Sequence, residues 1–337
     1  MDFAARITGT GSAFPKKRVT NNSIAQKLSK FGITTSDEWI RERTGICERR
    51  ISDVGNPEEH NSSLGFSAAQ KALEMAGKSP QSIDQIIYAT CSPDTPLPST
   101  ACWLQHKIGA DQAWAMDINA ACSGFIYGLA TAEKFIQSGQ VKTALVVGGE
   151  VLSPILNWED RNSCILFGDG AGAAIVEQVS SDSSRRILYS YLRSDGNLWD
   201  LLYVPAGGSN MEVTPERYAK KLHKLTMKGK EIFKVAVKTM ADLALKTLKK
   251  NQMTADDLDW FVPHQANLRI IEAVAKRLKF PMGKILVNVD RYGNTSAATI
   301  PTILDEANRD GRIRSGQTVM LDAFGAGLTY GSILVRW

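Results

Sequence analysis

The chain has 337 residues, 43% of them apolar, and a formal net charge of +5. That is core material for one large domain or two ordinary ones, and it excludes a disordered chain. Five cysteines without a CxxC pair and four histidines without ligand spacing argue against a disulfide framework and a zinc site, so reduced thiols and no metal are expected.

The opening Met1-Asp-Phe-Ala-Ala-Arg-Ile-Thr-Gly lacks the basic region, apolar run and cleavage site of a signal peptide. The most apolar windows are broken by Gly, Pro or charge before they reach membrane-spanning length, and a soluble, cytoplasmic protein with no membrane partner is expected. Charge is uneven: lysines crowd residues 220–250, and Arg269, Lys276, Arg277, Lys279 and Lys284 crowd a second segment. Two readings stand, the solvated face of a helix or a dock for an acidic partner or phosphorylated ligand. Nucleic acid is not expected, since no aromatic residues interleave with these charges.

In chain order, a strand is predicted at residues 4–12 and a loop through Pro15. Helices are predicted from Asn22-Ser23 and after Thr35, where Thr35-Ser-Asp-Glu38 fits a capping box. The second carries Trp39, Ile40 and Arg43. Trp39 beside Arg43 suits either a base-stacking and phosphate contact or an amphipathic Trp packed on the core. A helix over 62–76 leads to a strand over 83–91, a Pro-rich loop over 92–99 and a helix over 100–108. Residues 111–118 then bring the chain to Asp117-Ile-Asn-Ala-Ala-Cys-Ser-Gly-Phe-Ile-Tyr-Gly128.

Beyond Cys122 in that stretch, Phe125, Leu129, Ala132, Phe135 and Ile136 recur at helical spacing, so the cysteine sits where a strand turns into a helix. A helix N-terminus favours an anion and lowers a thiol pKa, which predicts a nucleophile for acyl groups. The competing reading is a buried structural cysteine. Residues 140–149 read as a strand covered on both faces.

The second half repeats the first. At one constant offset, Lys71, Leu73, Ser79, Ile83 and Asp84 match Lys246, Leu248, Thr254, Leu258 and Asp259, and Asn119 matches Asn294. At a slightly larger offset Ser138-Gly-Gln140 matches Ser315-Gly-Gln317, and Gly148 matches Gly325. The chain is therefore expected to be a duplicated α/β unit, with halves at 1–184 and 185–337. A pseudo-twofold axis would turn the Cys122 loop toward Gly293-Asn-Thr-Ser-Ala-Ala-Thr299 and bring His264 to the same rim.

Asn119-Ala-Ala-Cys-Ser-Gly-Phe125, Phe167-Gly-Asp-Gly-Ala-Gly-Ala173, Pro263-His-Gln-Ala-Asn267, Gly293-Asn-Thr-Ser-Ala-Ala-Thr-Ile-Pro301 and Phe324-Gly-Ala-Gly-Leu-Thr-Tyr-Gly-Ser332 together resemble the β-ketoacyl-[acyl-carrier-protein] synthase III family. The resemblance runs from about residue 5 to the C-terminus. It implies a thiolase-like fold, two duplicated halves in an αβαβα layered sandwich, and an acyltransferase that needs no cofactor. Cys122 would take an acyl group from a short acyl-CoA. Malonyl-acyl carrier protein would then lose carbon dioxide and attack the thioester, with His264 and Asn294 holding the enolate oxygen. The N–H groups of Cys122 and of Ala326, in the Gly325-Ala-Gly turn, would form the oxyanion hole.

The same resemblance gives CoA contacts to Trp39, Arg43, Arg161, Phe233, Ala266 and Asn267, with Trp39 and Arg161 sandwiching the adenine. It gives carrier-protein docking to Arg269 and the acyl pocket to Cys91, Leu97, Leu152 and Phe167, with Leu97 reaching in from the partner of a homodimer. Lys230, in place of a smaller polar residue, and Tyr330, in place of a frequent Trp, depart from the family pattern. Alternatives are a related synthase of secondary metabolism, an acyl-CoA thioester hydrolase with His264 as general base, and a non-catalytic acyl-CoA binder.

Overall fold

An apolar run without polar alternation forms a strand only where both faces are covered. In the computed structural model, which describes residues 2–337, Thr143–Glu150 is such a strand, buried at every position. It lies inside a five-stranded sheet of β1 (Phe3–Ala13), β2 (Gln85–Ala89), β3 (Trp114–Ile118), β4 (Thr143–Glu150) and β5 (Gly170–Ser180), in the order β1-β5-β4-β2-β3. A four-stranded sheet holds β6 (Arg186–Ser194), β7 (Trp260–Pro263), β8 (Thr318–Gly325) and β9 (Thr329–Arg336), in the order β6-β9-β8-β7.

The sheets are copies. The series β1-β5-β4-β2 and β6-β9-β8-β7 both pair antiparallel, antiparallel, then parallel. Of the remaining edge strand β3, the second copy keeps one parallel bridge, Phe261 to Ile285.

Five layers follow from which faces are apolar. Helices Gly124–Gln137 and Thr299–Arg309 lie between the sheets, where Phe125, Leu129, Ile300 and Ile303 share a core with Val146 and Leu321. Each fully buried Leu or Ile there contributes about 1.5–3 kcal/mol. Asn61–Ala76 and Thr100–Ile108 cover the outer face of the first sheet, and Gly229–Lys250 and Leu268–Leu278 that of the second. No helix among the described residues is long and apolar enough to cross a membrane.

Two local expectations shift. The Trp39 helix spans Asp37–Thr44 and is capped by Ser36, whose hydroxyl accepts from Trp39 N–H, while the Thr35 hydroxyl is buried without a partner. Ser36 holds the extended backbone that a cap needs, at φ −140°. The lysine-rich segment is also not one helix: a short helix at Pro215–Ala219 and a ribbon pairing Leu202–Tyr203 with Thr226–Met227 precede the long Gly229–Lys250 helix.

Candidate active site

Two equivalent turns meet between the sheets. In the first, Ala121 has φ +46°, a one-turn helix covers Ala121–Ser123, and Gly124–Gln137 follows. In the second, Ser296 has φ +50°, a one-turn helix covers Ser296–Ala298, and Thr299–Arg309 follows. The same device bends both: the Asn119 side-chain oxygen accepts from Ala121 N–H at 3.3 Å, and that of Asn294 accepts from Ser296 N–H at 2.8 Å.

Each turn rests on a glycine of the other half. A Cβ on Gly325, at the end of β8, would stand 2.7 Å from Cys122 N, and one on Gly148, in β4, 2.3 Å from Ala297 O. No side chain fits at either place, so the matched glycines permit the contact between halves.

The first turn carries Cys122, 7% exposed. Here the structure corrects the sequence reading. The helix start was expected to lower the thiol pKa; burial instead pushes it up to about 12, opposed by the Ser296 hydroxyl and the cysteine's own N–H. Removal from water outweighs the N-terminal dipole for a group this enclosed. Among the described residues, neither the Cys122 nor the Ala326 N–H donates to a backbone carbonyl, which leaves both for a ligand oxygen.

His264, 2% exposed, follows the end of β7. Its backbone N–H donates to Asp322 O at 2.8 Å. Beyond it, the Gln265 side chain donates to Pro263 O and Leu286 O and accepts from Asn288 N–H, clamping the bend. Burial lowers the imidazole pKa to about 3, so the ring is neutral near pH 7. Its Nδ1 lies 2.7 Å from the Thr299 hydroxyl. Asn294, 6% exposed, is zippered to the wall residue Phe167: its N–H donates to Leu166 O, and its carbonyl accepts from Gly168 N–H. With its side-chain oxygen bound to Ser296 N–H, only the NH2 group is left to donate into the site.

Cys122, His264 and Asn294 line the inner end of one cavity of about 560 Å³, whose walls include Trp39, Arg43, Phe233, Ala266, Asn267 and Arg269. A second, of about 520 Å³, holds Cys91, Leu152 and Phe167 and shares Cys122, Phe167 and Ala326 with the first. Cys122 thus stands at the junction of two chambers. The Asp169 carboxylate in Phe167-Gly-Asp-Gly170 accepts from Leu152 N–H, Ser153 N–H and Ser52 N–H, fixing the wall around Leu152.

Two predicted contact residues are engaged within the chain, and a third is exposed, as insertion into a partner requires. Arg161 stacks directly on Trp39, its guanidinium carbon 4.2 Å from the ring centre, with Arg43 at 4.3 Å. Stacking a base between Arg161 and Trp39 needs roughly twice that separation, so Arg161 must swing from Thr34 O, to which it donates at 2.7 Å. Asn267 uses both ends of its amide within the chain: it caps the helix Leu268–Leu278 through Arg269 N–H and donates to Arg43 O. Leu97 is 86% exposed and lines neither cavity of its own chain.

Sequence reasoning missed Glu150, Ser296, Thr299 and the outer wall of the second chamber. Glu150 is fully buried and accepts from Cys91 N–H, the hydroxyls of Thr90, Ser92 and Ser296, and the Cys91 thiol. A carboxylate ending an all-apolar strand was its signal. Trp199, Leu202, Tyr203 and Leu225 come from the irregular 196–228 segment and had none.

The sequence pattern of 3-oxoacyl-[acyl-carrier-protein] synthase III matches residues 116–196, and that of its C-terminal part matches 248–337. A β-ketoacyl-[acyl-carrier-protein] synthase III of Caldanaerobacter subterraneus subsp. tengcongensis is 49% identical over 335 residues, covering 99% of this chain and 98% of that protein. The crystal structure of 3-oxoacyl-[acyl-carrier-protein] synthase III from Aquifex aeolicus superposes with a TM-score of 0.88 at 41% identity, covering 99% of this chain and 100% of that one. The priming β-ketosynthase of the R1128 polyketide biosynthetic pathway superposes with a TM-score of 0.89 at 33% identity, covering 99% and 96%.

Proposed function

This chain belongs to the β-ketoacyl-[acyl-carrier-protein] synthase III family, a group of thiolase-fold condensing acyltransferases, and from that membership we propose how its site joins an acyl-CoA primer to malonyl-acyl carrier protein. Cys122 is the nucleophile. Burial opposes both a free thiolate and a free imidazolium, so the thiol proton passes to neutral His264 as the sulfur attacks the acyl-CoA carbonyl. The N–H groups of Cys122 and Ala326 receive the oxyanion, CoA leaves with the proton, and the acyl chain lies in the Cys91-Leu152-Phe167 chamber.

Malonyl-carrier protein then enters by the same channel. As carbon dioxide leaves, charge moves onto the thioester oxygen, where His264 Nε2–H and the Asn294 NH2 donate without a formal positive charge. The enolate attacks the acyl-Cys122 carbonyl, the C–S bond breaks, and the expelled sulfur takes a proton from solvent as a 3-oxoacyl chain two carbons longer leaves, the first product of dissociated fatty acid synthesis. Trp39, Arg43, Arg161 and Phe233 bind CoA, and Arg269, exposed at the channel mouth, docks the acidic carrier protein beside the lysine helix. We place this enzyme in the cytoplasm as a homodimer; the exposure of Leu97 supports its insertion into the partner's acyl chamber.

The observation that carries this reading is that Cys122 lies at the junction of two chambers, one for each substrate arm, and shares the first of them with His264 and Asn294. A hydrolase is disfavoured, because Nδ1 of His264 meets a hydroxyl and not the carboxylate that would orient a general base. Likeness to the R1128 priming ketosynthase keeps a secondary-metabolite synthase as the second reading. Intact-protein mass after incubation with a panel of acyl-CoAs, followed by malonyl-carrier protein, tests both. A Cys122 adduct discharged as 3-oxoacyl-carrier protein is expected; discharge by water alone, or no adduct with any donor, refutes the proposal.

A further inference from the structure

Ser296 and Thr299 are buried, polar and not used directly by the condensation, yet together they control His264. Nδ1 of His264 lies 2.7 Å from the Thr299 hydroxyl oxygen, which itself lies 2.9 Å from Ser296 O. A hydroxyl has one proton to give. When it goes to the carbonyl, the Thr299 oxygen accepts from Nδ1–H, and Nε2 offers a lone pair to the cavity. When it goes to Nδ1, Nε2 carries the ring proton. The Ser296 carbonyl is not stranded in the second arrangement, because Thr299 backbone N–H already donates to it. Both arrangements leave every one of these buried groups partnered, so little free energy separates them.

We propose that Thr299 is a positioning residue that keeps both neutral tautomers of His264 available, one for each half of the reaction; this inference rests on the condensing function above. With Nε2 bare, the ring takes the Cys122 thiol proton as the S–C bond forms and returns it to the departing CoA sulfur. With the proton on Nε2, the ring donates to the malonyl thioester oxygen as the bond to the carboxylate breaks and its electron pair moves into the enolate. Between these steps the ring gains a proton at Nε2 from solvent and loses the one at Nδ1 to solvent, so its charge is unchanged. A carboxylate at position 299 would hold the ring in the first form and an apolar side chain in the second.

Thr299→Val keeps the side-chain volume and removes the hydroxyl. An Nδ1–H would then face a methyl group, so the ring proton moves to Nε2. Self-acylation of Cys122 is expected to fall about a hundredfold, the scale of general-base assistance. Carbon dioxide release from malonyl-carrier protein without primer should fall less than about threefold. Thr299→Ser should restore both steps. Nitrogen-15 NMR of ring-labelled histidine should report both tautomers in the wild type and Nε2–H alone in Thr299→Val. Equal losses in the two steps, or a wild-type ring locked in one tautomer before and after acylation, overturn the proposal. Should Thr299→Val not fold, the wild-type spectrum decides by itself. Should the wild type take no acyl group, the condensing function fails, while the spectrum still reports on the tautomers.

Discussion

The Cys122 turn and the Asn294 turn share a backbone and divide the labour. Both bend on an Asn side chain, both pass through a left-handed residue, and both enter a helix buried between the sheets. The first has small residues around its sulfur: Ala120, Ala121 and Gly124, where an added Cβ would stand 2.9 Å from that of Ala89. The second has Ser296 and Thr299, which hold the hydrogen bonds around His264 and Asn294. One geometry occurs twice; on the proposed function, the first copy is the place for covalent chemistry and the second a set of oriented donors.

The largest expected break in that comparison is Cys122→Ala, which gives the first turn the residue that the second carries as Ala297. No acyl adduct should form with any acyl-CoA, while the thermal midpoint stays within a few degrees of wild type. An adduct in that variant, seen by intact mass, would remove Cys122 from its role.

Next come the two asparagines. Asn294→Ala removes a donor and should slow malonyl decarboxylation by about a hundredfold or more, with a smaller effect on self-acylation. Asn119→Ala removes only the bend of the exposed copy and should cost less than about 1 kcal/mol of stability in denaturant unfolding. Equal kinetic damage from both would abolish the division.

The glycines sharpen it further. Gly325→Ala and Gly148→Ala meet comparable clashes and should each destabilise by about 1–3 kcal/mol. Their kinetic effects should differ. Gly325→Ala moves Cys122 N–H and slows acyl transfer by about tenfold, whereas Gly148→Ala pushes on Ala297 and slows the malonyl step by a similar factor. Single-turnover assays of the two steps separate these outcomes.

The most gradual effect, spread over several pH units, is in pH dependence. His264 has a folded-state pKa of about 3, below its ordinary 6.5, so the unfolded chain binds a proton that the folded one does not across that window. Its contribution to stability is full above the window and declines as pH falls through it, by at most about 1.4 kcal/mol per unit. Urea unfolding at several pH values should show a shallower acid decline for His264→Gln than for wild type; identical slopes would mean that the ring is already protonated in the fold.

Helix spacing, unbroken apolar runs and the matched positions of the halves sufficed to place Cys122, His264 and Asn294 and to foresee the repeated sheets, because hydrophobic periodicity and a duplicated pattern are written along the chain. The cap at Ser36 in place of Thr35 marks the limit of that resolution, since adjacent hydroxyl residues compete and backbone geometry chooses between them. Glu150, Ser296 and Thr299 became functional candidates only through partners more than thirty residues away or on another element, such as Cys91 for Glu150 and His264 for Thr299. The raised thiol pKa of Cys122 was likewise a property of enclosure and not of the local turn. What the sequence by itself determined was which residues have the chemistry and which elements hold them. The tertiary structure alone decided their protonation, the direction of their hydrogen bonds and the shape of the two chambers, because desolvation and close contact arise only when distant segments pack together.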